Sequence, residues 1–148
     1  MMNNLLGVLI RFRIGKVAVA GDIRKMYHTI KTENIDQQTH RFLWRDLEER
    51  SPDVYVITSV SFGDKPAAAI SALALKKTAE MSKEEYPEAS ETILKNSYVD
   101  DIISSFDNHE IADKQTDQIE EILDKGGFPI KGWRVSIYLY MPCAEKYF

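Results

Sequence analysis

Cysteine is nearly missing from this sequence: a single residue, Cys143, can build neither a disulfide framework nor a CxxC zinc site. The longest early apolar run, Leu5 to Ile10, is too short for a membrane span or for the core of a secretory signal. The three histidines, His28, His40 and His109, are scattered, with no HExxH and no zinc spacing. There is no GxSxG, GxxxxGK[ST] or GxGxxG, so serine-hydrolase, P-loop and dinucleotide readings lack their usual entry points. No repeat of 20–50 residues and no low-complexity stretch interrupts the chain. With five prolines and seven glycines among 148 residues, punctuation is sparse and local. These absences leave a soluble, intracellular, single-domain protein as the expectation.

What is present fits that frame. Hydrophobic residues make up 44% and charged residues 28%, enough for one buried core and unlike a disordered segment. Nineteen Lys and Arg stand against 23 Asp and Glu, a net charge of −4 that by itself argues against non-specific nucleic-acid binding. The two halves differ, however. Residues 1–77 carry 12 basic and 8 acidic side chains; residues 78–148 carry 7 and 15.

Lys16–Asp22 (KVAVAGD) alternates in the manner of a strand that runs out at a carboxylate. A short helical or irregular stretch, Ile23–Lys31, and a polar connection, Thr32–Thr39, follow. Arg41–Leu47 and Val54–Phe62 read as antiparallel strands around the turn chemistry of Ser51-Pro52-Asp53. Pro66 opens a helix to about Met81, since proline suits a first helical turn. A second helix is expected over Glu84–Lys95, and a third from about Glu110 to Lys125. That third helix has Asn108 as N-cap, an apolar stripe of Ile111, Ile119, Ile122 and Leu123, and Gly126-Gly127 as its stop. Phe128–Val135 is a last strand. The expected fold class is α+β: an antiparallel sheet with helices on one face, in a split βαβ order.

Between the second and third helices lies Tyr98-Val99-Asp100-Asp101-Ile102-Ile103, β-formers around two aspartates. Adjacent side chains in a regular strand point to opposite faces, so the pair converges only at the tip of a tight hairpin. Alone, Asp-Asp between strands is ordinary turn chemistry. Asp22 also ends a strand, and neighbouring strands would bring it beside the pair. Three close carboxylates repel one another unless a cation sits among them. Hard divalent ions take such oxygen ligands, and pairs of them serve nucleotidyl transfer.

These segments resemble those of reverse transcriptases. Tyr98-Val99-Asp100-Asp101 resembles the YxDD box, and Asp22-Ile23-Arg24-Lys25-Met26-Tyr27 the first palm motif. Ser61-Phe62-Gly63-Asp64-Lys65-Pro66 resembles the SFG-x-x-P motif, and Gly126–Trp133 the later GGF…KW stretch. Order and spacing are most similar to the BEL/Pao group of LTR retrotransposons. The resemblance implies a polymerase palm of ferredoxin-like type over residues 15–135. Residues 1–14 are then a remnant of the fingers–palm junction, and residues 136–148 a divergent tail. It implies Asp22, Asp100 and Asp101 as metal-binding catalytic carboxylates, with the Ile23 carbonyl as a further ligand, for two Mg²⁺ ions (or Mn²⁺).

Residue by residue, Tyr27 matches the steric gate against a 2′-OH; alone it reads as well as a core aromatic. Phe62 and Gly63 would line the nucleotide pocket, although a core ring and a turn glycine are equally good readings. Tyr98 and Val99 would border the primer end. Lys131 would protonate the departing pyrophosphate. The implied partners are an RNA or DNA template-primer and dNTPs, with no membrane, in the cytoplasm or a retroelement particle. Fingers, thumb and RNase H have no counterpart in the sequence, so weak or no activity in isolation is expected. The alternatives are a non-catalytic remnant of a decayed element acting as a binding module, or another carboxylate-dependent metal phosphotransferase or nuclease.

Overall fold

The architecture comes from a computed structural model, which describes residues 2–137. Its frame is a four-stranded antiparallel sheet formed by β1 (Val17–Ile23), β4 (Ser97–Tyr98), β5 (Asp101–Phe106) and β6 (Ile130–Ile137), in the spatial order β4-β5-β1-β6. Strands β5 and β6 flank β1 and both run antiparallel to it, so they are parallel to each other. The helix between them, α6 (His109–Lys125), crosses over β1, which is the split βαβ arrangement expected from the sequence.

The helical layer is formed by α4 (Ala67–Met81), α5 (Pro87–Asn96) and α6. Each has one apolar stripe, as a helix on a sheet requires. In α4 the buried positions are Ala67, Ser71, Ala72, Leu75 and Ala79; small residues let the helix approach closely. In α6 they are Ala112, Gln115, Thr116, Ile119, Ile122 and Leu123. These stripes meet Ile23, Ile93, Ile102 and Phe128 in the main core. Val17 and Val19 extend it along β1 to Ala112.

Local signals account for the element ends. The Asn108 side chain accepts the Ile111 N–H at 2.9 Å, capping α6, and the Gly126 N–H donates to the Ile122 and Leu123 carbonyls where the helix stops. Pro87 sits in the first turn of α5. A short N-terminal helix, α1 (Leu5–Arg11), is pinned beside β4 and β5. The Asn3 amide donates to the Leu94 and Ser97 carbonyls at 2.9 Å, and Arg11 Nε donates to the Asn96 carbonyl oxygen Oδ1 at 2.7 Å.

Between β1 and α4, the chain makes two four-residue helices, α2 (Met26–Thr29) and α3 (Asn34–Gln37), and a separate hairpin of β2 (Arg41–Trp44) and β3 (Asp53–Val56). Phe42 stacks on Tyr55 across this hairpin with ring centroids 5.6 Å apart. Phe42, Leu43, Trp44, Val54 and Tyr55 are nevertheless all exposed.

Several expectations are corrected. The polar connection Thr32–Thr39 contains α3, held by backbone bonds rather than by an apolar stripe. Ile111 is exposed, and Ala112 and Gln115 take its expected place on the buried face of α6. The turn of the aspartate hairpin is Val99-Asp100, while Asp101 already pairs with Tyr98 and opens β5. Residues 136 and 137 belong to β6 and pair with Ala18 and Val17, so the sheet runs past the expected start of the tail. The rest of the tail, residues 138–148, lies outside the described residues. Among the described residues no helix is long and apolar enough to cross a membrane.

Candidate active site

Register decides which aspartates meet. Asp22, near the end of the central strand, is the direct cross-strand partner of Asp101 at the start of β5. Antiparallel partners project to the same face of a sheet, so both carboxylates emerge on the face away from the helices. The next pair, Ile23 and Asp100, is hydrogen-bonded: the Ile23 N–H donates to the Asp100 carbonyl at 2.7 Å. Such pairs alternate with non-bonded ones, in which the strands come closer, and Asp22–Asp101 is of that closer kind. The sheet thus sets two like charges side by side.

The turn that delivers Asp101 is tight. Val99 takes φ 53, a left-handed conformation costly for a β-branched residue. With positive φ at the first central residue only, the two-residue loop has the φ pattern of the II′ family, whose twist suits paired strands. Asp100, the second central residue, lies beside Asp101 and acts on it electrostatically. The Asp101 carboxyl is held above its ordinary value, first by partial desolvation in the cleft, then by the charges of Asp100 and of Asp22.

A cleft of about 470 Å³ opens over this pair, lined by Ala20, Gly21, Asp22, Asp101, Lys131, Gly132, Trp133 and Arg134. The far wall is β6. Its pairing with β1 shifts between Gly21 and Ile23; Lys131, next to this irregularity, lines the cleft, and Arg134 stays opposite Ala20. Gly21 is required by close approach: a Cβ there would come within 2.7 Å of the Trp133 ring. The bare backbone lets the indole lie across β1 on the helix side of the sheet, packed against both core clusters, while Trp133 also borders the cleft.

The expected site residues therefore fall into groups. Asp22, Asp101 and Lys131 share the cleft, and Asp100 adjoins it in the turn. Ile23 is buried in the core with its N–H holding that turn, and Tyr98 and Val99 lead into it. Tyr27, Phe62 and Gly63 form a second group. The Tyr27 and Phe62 rings meet edge-on with centroids 4.8 Å apart, and Phe62 is 70% exposed, so it is no core aromatic. Gly63 has φ 95, which favours glycine, and an added Cβ would meet open space. Arg134 in the cleft and Trp133 against the core carry no role assigned from the sequence. Their signal was the alternation of the last strand, which becomes readable only once the partner of β6 is known.

Among the described residues no three His, Cys, Asp or Glu side chains stand close enough together to hold a metal ion as they are. The donors nevertheless suit a hard cation: two carboxylates in register, a third beside them, and an Asp101 carboxyl held up by desolvation and then by the charges of Asp100 and Asp22. Mg²⁺ usually takes one or two carboxylates and completes its shell with substrate phosphates and water.

An antiparallel sheet of this order, with helices behind it, is similar to the palm region of a polymerase. The family model described as reverse transcriptase (RNA-dependent DNA polymerase) matches residues 12–139, and the chain belongs to that family. Among solved structures, the chain is similar to the foamy viral protease-reverse transcriptase in complex with RNA/DNA hybrid, with a TM-score of 0.66 and 18% identity. The similarity covers 88% of this chain and 16% of that one, and it is a likeness of fold. No curated protein matches the chain.

Proposed function

We propose that this chain forms the palm of an RNA-directed DNA polymerase of BEL/Pao type, transferring a nucleotidyl group from a dNTP to a primer 3′-OH. The reading is carried by the register pairing of Asp22 with Asp101 at the mouth of a cleft that also holds Lys131 and Arg134. Asp22, Asp100 and Asp101 are the residues that would hold two Mg²⁺ ions, or Mn²⁺ in their place, with the Ile23 carbonyl as a further ligand. Bound there, such ions would supply a lowered pKa for the attacking hydroxyl and neutralisation of charge on the triphosphate.

The chain's own side chains do the rest. Lys131 lines the same cleft as the carboxylates and would pass a proton to the pyrophosphate oxygen as it leaves. Arg134 offers a planar fork of donors to a phosphate. The Tyr27–Phe62 pair gives a flat aromatic edge against a sugar or base, with Tyr27 in the place that excludes a 2′-OH. Gly63 leaves space beside it for backbone approach, and Tyr98 and Val99 border the primer end. Template-primer and dNTPs are the partners this reading requires.

Primer extension with an RNA template, dNTPs and Mg²⁺ tests it. Synthesis by this chain alone is weak and non-processive; with fingers and thumb segments supplied it becomes robust, and Asp100→Asn abolishes it. No extension even with those segments supplied refutes catalysis and favours the non-catalytic binding module.

A further inference from the structure

The His40 and Asp64 side chains are hydrogen-bonded, with Nε2 and Oδ1 2.8 Å apart, and neither residue lines the carboxylate cleft. Their places in the fold give the pair its interest. His40 closes the base of the β2–β3 hairpin: its N–H donates to the Gln37 carbonyl and its carbonyl accepts the Ile57 N–H, both at 3.1 Å. Asp64 closes the Ser61–Asp64 turn. Its second carboxylate oxygen accepts the Ser61 N–H at 3.1 Å, and its carbonyl accepts the N–H of Ala67, the first residue of α4, at 3.0 Å. One carboxylate thus binds the turn to itself and to the hairpin.

The turn needs that anchor. Phe62 is largely exposed, so burial does not position its ring, and Gly63 next to it has open space on its Cβ side. The ring is met edge-on by Tyr27 and, at 5.7 Å, by His28. The side chains of His40 and Asp64 are only 28% and 23% exposed, so their pair is less screened than one at the open surface.

We propose that His40 is a positioning residue. Through Asp64 it sets where the Ser61–Asp64 turn holds Phe62 and Gly63 against Tyr27, and it makes the hairpin and the nucleotide-facing edge move as one. What the turn touches rests on the function proposed above; the coupling of His40 to the turn does not.

Both parts are tested on the full chain. In ¹H–¹⁵N spectra without ligand, His40→Ala shifts the Phe62 and Gly63 amides and weakens the nuclear Overhauser contact between the Tyr27 and Phe62 rings. The Asp22 and Asp101 amides stay in place. His40→Gln keeps a side-chain N–H of similar reach and restores the wild-type pattern. Asp64→Asn, close in shape, reproduces the His40→Ala shifts. In the second arm, calorimetry with Mg²⁺ and dATP gives a Kd about tenfold weaker for His40→Ala, near 1.4 kcal/mol, while Mn²⁺ titrated alone binds as in wild type.

Unchanged Phe62 and Gly63 signals in His40→Ala, or a His40→Gln variant no better than His40→Ala, would overturn the proposal. A wild-type chain that binds no dATP, with the turn still responding to His40→Ala, sinks the nucleotide reading and upholds the coupling.

Discussion

Replacing Asp101 by Asn should make the metal-free protein more stable. Asp101 faces Asp22 directly across the ladder and has Asp100 beside it in the turn, with burial and both charges holding its carboxyl above the ordinary range. Each directly opposed like charge in a sheet costs about 0.2–1 kcal/mol, and solvent reaching the cleft keeps the figure toward the lower end. With Asp22 directly opposed and Asp100 only adjoining, the gain is roughly 0.5 kcal/mol, which for a domain of this size raises Tm by about 1–3 °C.

The same pair of measurements carries an internal control. At ten times its Kd, a cation bound only by the folded chain adds about 1.4 kcal/mol of stability. Mg²⁺ should therefore raise the wild-type Tm and leave the variant nearly unmoved, so that the two curves cross as Mg²⁺ is added. The pH dependence has a definite sign. A carboxyl whose folded-state pKa is raised favours folding when protonated and loses that contribution as pH rises through the folded value. The advantage of the Asn variant is therefore complete near neutrality and closes on acidification, starting above the ordinary Asp value of about 3.9. Thermal melts in EDTA and in Mg²⁺, from neutral pH downward, read all of this. An Asn variant that melts at or below wild type in EDTA at neutral pH, or that gains as much from Mg²⁺, refutes the reasoning.

Three further outcomes are expected. Gly21→Ala forces a Cβ to within 2.7 Å of the Trp133 ring and costs about 1–3 kcal/mol in urea denaturation, with an altered Trp fluorescence maximum as the indole is displaced from its packing against the core. Ile119→Ala, at a fully buried position in the main core, costs about 2–5 kcal/mol by the same assay. Val99→Gly relieves a left-handed residue worth about 1–2 kcal/mol and adds about 0.5–1 kcal/mol of backbone entropy cost, so chemical denaturation shows a gain of up to about 1.5 kcal/mol.

Much of this could be read along the chain because the information is local. Val-Ala alternation marks β1, Asn108 caps α6, and Pro66 and Pro87 sit at helix starts. The aspartate hairpin was legible for the same reason, although the turn centres one residue earlier than the pair suggests. What stayed hidden depends on partners. The roles of Trp133 and Arg134 follow from the register of β6 against β1 and from the shift beside Asp22, which no window of sequence contains. The β2–β3 pattern announces a hairpin and is silent on its standing apart from the main sheet. Helix α3 has no buried residue, so no apolar period betrays it. His40 and Asp64 look unremarkable until the fold sets them 2.8 Å apart.

The pairing of β1 with β5 also bears on how the molecule comes to be. Asp22 and Asp101 lie half a chain apart, with the hairpin and two long helices between them. Closing so long a loop is paid in entropy before any ladder bond rewards it, and such non-local pairings slow folding. Helices α4, α5 and α6 can gather first through contacts close in sequence, and β6, last in the described chain, then docks on the free side of β1. A collapsed chain that has its helices and lacks this strand pairing has no cleft and no facing aspartates. Charge repulsion between the two carboxylates is thus met when β1 pairs with β5, a step that ions in the refolding buffer should ease.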